Sequence, residues 1–248
     1  MLKKIAAIAA GVAVVATMNS QAVAKTLING IDANFPPFAY VDKSGKPSGF
    51  DVDAVDWIAK KMGFEVTHQP VAWEGIIPNL VAKKIDFICS GMTITAERAK
   101  IVNFTTPYWE HRNQFVAKKD SSITEQKILT GGITLGVQQG TSELKWLQKT
   151  MKEKGWNFKF RMYDSAPMAV EDVLNGRIEA AAMNDAPAKD AVEKKPVKIV
   201  AAFGDVDAYG CATRKADTDL KKKLDDGYIA LRKDPYWKEL LNKYERSE

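Results

Sequence analysis

The chain has 248 residues and a formal net charge of +5; it is 46% hydrophobic and 27% charged, with 2 Cys and 2 His. That balance excludes extended disorder, and so few, widely spaced Cys and His exclude zinc ribbons, haem attachment and most histidine-based metal sites. The charge is too mild and evenly spread for a nucleic-acid binder, and no period of roughly 20–50 residues marks a solenoid or propeller.

The N-terminus reads MLKKIAAIAAGVAVVATMNSQAVA. Lys3 and Lys4 form a positive n-region, Ile5 to Thr17 a short apolar stretch, and Ala22-Val23-Ala24 a small-x-small cleavage site. Residues 1–24 are therefore expected to be a cleaved secretory signal peptide. The apolar run is shorter than the ~20 residues that span a bilayer. No Cys follows it, so no lipid anchor is expected. A soluble exported chain starting at Lys25 points to a periplasm.

Leu27 to Ile31 reads as a strand. Asp51 to Met62 carries Val52, Val55, Ile58, Ala59 and Met62 on one face, a helix ended by Gly63. Phe64 to Thr67 reads as a strand, the stretch of Ile76, Ile77, Leu80 and Val81 as a helix, and Ile85 to Cys89 as a buried strand. The pattern then repeats: strand at Ile133 to Val137, helix at Ser142 to Lys152, strand at Phe158 to Met162, helix at Pro167 to Leu174, strand at Ile178 to Met183. Helices around Leu224 and from Trp237 to Tyr244 close the chain. Two β-α-β-α-β units in tandem predict an α/β protein of two lobes, each with a mostly parallel sheet. Ligands sit off the carboxyl ends of such strands, so a single site is expected between the lobes.

Chemistry-bearing residues fall at those strand ends. Asp32 and Phe35 follow the first strand, Trp73 the second, and Ser90-Gly91-Met92-Thr93 the third, with Arg98 just beyond. Gln138, Gln139, Gly140 and Thr141 follow the first strand of the second unit, and Asn184-Asp185 its last. Arg98 lies in the first turn of a short helix that Thr95 can cap. A cation there opposes the helix dipole, which disfavours a purely local role. It either pairs at the surface with Glu97 or grips a carboxylate with two parallel hydrogen bonds. Thr141 opens a helix whose N–H groups suit an anion, or is an ordinary cap. Asp185, after an apolar strand, needs a cation: a ligand ammonium or a nearby Lys. Phe35 and Trp73 either wall a ligand or pack in the core. Together these residues form an anion grip, an ammonium acceptor and aromatic walls, the chemistry of an α-amino acid zwitterion. His68 and His111 are expected to be structural or exposed. For Cys89 and Cys211, spacing leaves a disulfide and two separate buried thiols equally open.

The stretch GMTITAERAKIVNFTTPYW (Gly91 to Trp109), with GFDVDAVDWIAKKMG, WEGIIPNLVAKKIDF, LGVQQGTSE and NGRIEAAAMND in the same order, resembles the periplasmic polar-amino-acid-binding proteins of ABC importers, the family 3 extracellular solute-binding proteins. The resemblance implies the two-lobe periplasmic-binding-protein fold of type II, with crossovers near Pro107 to His111 and Val206 to Tyr209. Residues 25–108 and 209–248 would form lobe one, and 109–208 lobe two. It places the carboxylate-binding Arg on Arg98 and the ammonium-binding Asp on Asp185. Thr93 and Thr141 match further zwitterion contacts, Phe35 and Trp73 the aromatics, and Asp32 a contact to basic or amide side chains; Gln138 or Gln139 falls in the lobe-two segment that lines the same pocket, and, from the residues themselves, the Ser90 and Thr93 hydroxyls are expected to complete the ligand's hydrogen bonds. Gly91 departs from the Ser common in binders of basic amino acids. The fold would set Cys89 and Cys211 on strands that can neighbour each other. The implied function is capture of a polar or basic amino acid by hinge closure and delivery to a membrane permease. The expected protein is a monomer with no cofactor and no nucleic-acid partner. The rivals are a cleft enzyme, a cyclohexadienyl-type dehydratase with Glu74 as the one evident carboxylate, and a ligand sensor for a membrane receptor.

Overall fold

A computed structural model describes residues 26–244. The expected signal peptide, 1–24, lies outside the described residues. In chain order the elements are β1 (Leu27–Ile31), β2 (Asn34–Phe35), β3 (Ala39–Val41), β4 (Pro47–Ser48), α1 (Phe50–Met62), β5 (Val66–Pro70), a 3-10 turn at Trp73–Gly75, α2 (Ile76–Val81), β6 (Phe87–Ile88), α3 (Ala96–Ile101) and β7 (Val102–Phe104). Then come β8 (Trp109–Lys118), α4 (Glu125–Thr130), β9 (Ile133–Gln138), α5 (Ser142–Lys154), β10 (Phe158–Tyr163), α6 (Ala166–Leu174), β11 (Ala180–Asn184), α7 (Asp185–Lys194), β12 (Val197–Tyr209), β13 (Ala212–Arg214), α8 (Thr218–Leu231) and α9 (Pro235–Tyr244).

Two five-stranded sheets build the two lobes. The first runs β5-β1-β6-β13-β7 and the second β10-β9-β11-β8-β12. Each is half parallel and half antiparallel, not mostly parallel. The β-α-β units supply the parallel pairs β1/β5, β1/β6, β9/β10 and β9/β11. Strands that enter from the crossovers, β13 and β8, pair antiparallel. Crossover strands were the part that local periodicity did not announce.

Alternation places successive residues of each strand in different cores. Phe87 joins Val55, Ile58, Leu224 and Leu240 under α1, α8 and α9, while Ile88 joins Ile76, Leu80 and Val102 under α2. In the second sheet Ala181 and Met183 face α6 and α7, and Ala180 and Ala182 face α5 with Leu144 and Leu147. Helices therefore cover both faces of each sheet, and the polar business of the strand ends is left to the gap between sheets.

The strands β8 and β12 run long and pair from Trp109↔Tyr209 to Val197↔Lys118. Their Trp109 and Tyr209 ends connect to the first lobe, where Thr93 bridges Tyr209 and the Gly210 N–H donates to the Met92 carbonyl. Cys89 and Cys211, next to these ends, form a disulfide with Cα atoms 4.5 Å apart. Among the described residues no helix is long and apolar enough to cross a membrane.

Candidate ligand-binding cleft

Arg98 is 8% exposed, although it sits in the first turn of a six-residue helix. Thr95 caps that helix by accepting from the Arg98 N–H at 3.1 Å. The guanidinium turns away from solvent. Nη1 donates to the Thr93 carbonyl at 2.9 Å, and Nη2 reaches the second lobe's Gly140 carbonyl at 3.2 Å. The Trp73 ring lies 5.4 Å from the guanidinium carbon, a cation–π arrangement. Among the described residues no carboxylate lies within ion-pair distance of Arg98. Glu97, the surface alternative, pairs with Lys145 instead at 2.6 Å, across the lobes. Burial lowers the Arg98 pKa, with Glu143 and Glu97 pulling the other way. A buried cation lacking an ion-pair partner is costly, and an anionic ligand group relieves that cost.

The loop after β6 is fixed from three sides. The Gly91 N–H donates to the Asp51 carboxylate at 2.6 Å, from the first turn of α1. The Ser90 hydroxyl accepts from the Asp32 N–H at 2.9 Å. Asn29 brackets Cys89 with two bonds to its backbone. Gly91 has φ +55°, and a Cβ there would collide with the Phe35 ring. A Ser at this position would strain the backbone and require the Phe35 ring to shift. Phe35 is 8% exposed and packs on Tyr209, so it is core wall as well as cleft wall.

From the second lobe, β9 delivers Gln138. Its Nε2 donates to Asp32 Oδ2 at 2.7 Å and to the Asp164 carbonyl at 3.0 Å. Asp32, read from sequence as a contact to a ligand side chain, is therefore already engaged across the cleft. Burial nonetheless raises its pKa, with Gln138 acting against that. Thr141 caps α5, accepting from Leu144 N–H and donating to the Gln138 carbonyl. Gly140, at φ +75°, brings its backbone so close to Glu74 that a Cβ would fall 2.9 Å from the Glu74 Cα. These interlobe contacts define a closed conformation.

Asp185 stands somewhat apart. It opens α7; burial raises its pKa, with the Arg112 and Ala186 backbone acting against that, and its Oδ1 is buried without a partner. It lines a crevice of about 150 Å³ with Pro37, Trp109, Glu110, Lys189 and Tyr244, whose lining includes neither Arg98 nor Thr93. The residue at the strand end is Asn184, 5% exposed, which donates to Asn113 at 2.7 Å and accepts from the Tyr209 hydroxyl at 3.1 Å.

Sequence reasoning missed Glu143, while His111, expected to be structural or exposed, takes the structural place. Glu143, 5% exposed in the first turn of α5, has its pKa pushed up to about 7 by burial, with Arg98 among the groups pulling it down. A first-turn Glu normally serves the helix dipole in solvent, so nothing local marks it. His111 is not exposed: it is 2% accessible, stacked 4.2 Å from the Tyr209 ring, and its Nε2 lies 3.2 Å from Thr93 Oγ1. His68 is held by Asn29 and Asp56, away from the cleft.

Two lobes, two crossover strands and a buried arginine between them define a solute-capturing cleft protein. The chain belongs to the bacterial extracellular solute-binding proteins, family 3, whose model matches residues 27–247. It is 32% identical to the L-cystine-binding protein TcyJ of Escherichia coli (strain K12) over 224 residues, covering 88% of this chain and 82% of that one. It is 31% identical to ABC transporter arginine-binding protein 1 of the same strain, over 87% of this chain and 88% of the other. Among solved structures, an ancestral arginine-binding protein bound to arginine superposes with a TM-score of 0.82 at 36% identity, covering 88% and 97% of the two chains. The ancestral amino acid-binding protein AncCDT-1, a precursor of cyclohexadienyl dehydratase, superposes at 0.81 and 31% identity, covering 88% and 95%.

Proposed function

We propose that this protein captures an amino acid, polar or basic, in the cleft between its lobes and delivers it to the permease of an ABC importer. The observation that carries this reading is Arg98: buried, stacked by Trp73, and free of any carboxylate partner among the described residues. Such a cation calls for a ligand carboxylate. The names of the relatives, cystine and arginine binders, support an amino acid as the carrier of that carboxylate.

On this reading lobe one comprises residues 25–108 and 209–248, lobe two residues 109–208. The first lobe binds first, through Arg98, Thr93, Trp73 and Phe35. The second then closes with the Gln138 to Thr141 loop, and Asp185 or its neighbour Asn184 meets the ammonium end. Closure is a population shift driven by contacts present only in the closed state. The protein acts in the periplasm after removal of residues 1–24, without a lipid anchor, as a monomer. It needs no cofactor and binds no nucleic acid. It carries out no chemistry on its ligand.

Thermal unfolding against each amino acid at about 1 mM tests this, after refolding to strip carried-over ligand. A micromolar ligand adds roughly 4 kcal/mol, or roughly 8–16 °C for a chain of this size. No shift with any amino acid would sink the proposal.

One observation favours a second reading. Glu143, buried in the first turn of α5 with its pKa raised to about 7 by burial, is the carboxylate that a general acid in a cleft enzyme acting on cyclic carboxylates would call on. Glu74, the earlier candidate, sits at the lobe contact with Gly140. Turnover of a cyclohexadienyl carboxylate, abolished by Glu143→Gln, would establish that alternative.

A further inference from the structure

We infer that Glu97 and Lys145 form a latch over the mouth of the cleft. They are positioning residues, one on each lobe, that touch no ligand and set how long the closed form holds its cargo, less so as ionic strength rises. The inference rests on the proposed capture function and names a determinant of release.

The interlobe bonds run from floor to mouth. At the floor Gln138 donates to Asp32, and both side chains are buried. Above them the Arg98 guanidinium donates to the Gly140 carbonyl at 3.2 Å, in a partly buried contact. At the mouth Lys145 Nζ lies 2.6 Å from Glu97 Oε1, with the two side chains 54% and 63% exposed. Glu97 is the chain neighbour of Arg98 in α3, and Lys145 lies near the start of α5, just beyond Gly140. The pair therefore closes the outer side of the contact that the buried guanidinium makes. Ion pairs such as Lys195–Glu171 and Lys243–Asp53 stay within one lobe.

The place of Lys145 has no local explanation. A cation near a helix N-terminus opposes the dipole. On α5 the residues three and four positions away are Thr141, Ser142, Gln148 and Lys149, none of them an acid. Its acid comes from the other lobe. Lys145 in turn holds the Glu97 carboxyl below the ordinary Glu range, by its hydrogen bond first and its charge second. The pair is thus charged at neutral pH.

An exposed ion pair adds little to the stability of a fold. This one acts wholly on closure, because its partners part and are separately hydrated once the lobes separate. A contact present in one state alone shifts the balance between the states by its full strength. Exposure also leaves it open to screening by salt. Since neither side chain faces the ligand space, the latch scales the hold on every ligand by the same factor.

The test is stopped-flow release of the amino acid that gives the largest thermal shift, at about 0.05 and 0.5 M sodium chloride. At the lower salt Glu97→Gln and Lys145→Gln should each speed release about two- to fivefold, with association near that of the wild type. At the higher salt the wild type should approach the variants. The swap of Glu97→Lys with Lys145→Glu should restore slow release. A second ligand should show the same factor. Both positions are on the surface, so the thermal midpoints of the ligand-free variants should match the wild type.

Release from the single variants as slow as from the wild type would overturn the latch. So would a salt dependence unchanged in Glu97→Gln, a swapped pair no slower than the single variants, or factors that differ between ligands. A wild type that binds no amino acid removes the proposed function, and the latch is then read without ligand. Spin labels at Lys60→Cys and Lys152→Cys report the distance between lobes, and Glu97→Gln should lower the closed fraction. An unchanged distance distribution removes the latch.

Discussion

The two walls of the cleft are built differently. On the first lobe the loop from Cys89 to Thr93 is tied by the Cys89–Cys211 disulfide, by Asn29, by the Asp51 carboxylate and by the bridge to Tyr209. On the second lobe the loop from Gln138 to Thr141 is held by its helix cap, by the Thr141 hydroxyl on the Gln138 carbonyl, by Gln138 to the Asp164 carbonyl, by the Gln139 N–H to the Tyr163 carbonyl and by the Gln139 side chain to Asp164; two more polar bonds, from Gln138 to Asp32 and from Arg98 to Gly140, reach across to the other lobe. One wall is set before the lobes meet, and the other is completed by meeting it. A pre-set grip reduces the ordering cost of binding, while contacts made only on closure couple ligand capture to shape.

That contrast can be broken from either side. Arg98→Ala removes the buried guanidinium from the fixed wall. Ligand affinity, read by calorimetry, should fall by several kcal/mol, because the ligand carboxylate is then buried without a partner. Unchanged affinity would remove Arg98 from the site. Replacing both Cys89 and Cys211 by Ser removes a cross-link spanning 122 residues of sequence. Denaturant unfolding should show a loss of about 3–5 kcal/mol. A loss well under 1 kcal/mol would mean the other ties suffice.

Glu143 sharpens the comparison through pH. Its folded pKa of about 7 lies above the ordinary Glu value of 4.5 because burial penalises the charged form. The protonated form folds without penalty, so stability is lost as pH rises from about 5 through about 7. Asp51, also pushed up to about 7 by burial, adds a loss of the same sign. Glu143→Gln should flatten part of this slope and stabilise the ligand-free protein at pH 8 by roughly 1–3 kcal/mol. A slope equal to that of the wild type would show that Glu143 stays solvated. The smallest effect is expected at the closing wall. Gln138→Ala should weaken binding by about 1 kcal/mol, mainly through faster release, and to the same extent for ligands with charged and uncharged side chains. A loss confined to cationic ligands would return Asp32 to the role of ligand contact.

Several of these features were legible in the sequence. Gly63 marks the end of α1, and the apolar spacing of Val52, Val55 and Ile58 marks its buried face. Thr95 announced the cap of α3 and thereby the position of Arg98. Strand starts drifted: β5 begins at Val66 rather than Phe64, and β11 at Ala180 rather than Ile178. Short apolar runs carry no internal signal for where pairing begins, since register is decided by the neighbouring strand.

The sequence by itself determined two tandem α/β units, and polar residues gathered at the ends of their strands, because both follow from local periodicity and chain order. Only the tertiary structure decided which strands turn antiparallel, since that depends on how the crossovers re-enter each sheet. It decided that a side chain at Gly91 would be strained, because Phe35, more than fifty residues away in the chain, fills the space it would need. It also decided that Asp32 answers to Gln138 and Thr93 to His111. Hydrogen-bond partners separated by 106 and 18 residues leave no trace in local spacing, since only the folded chain brings them together.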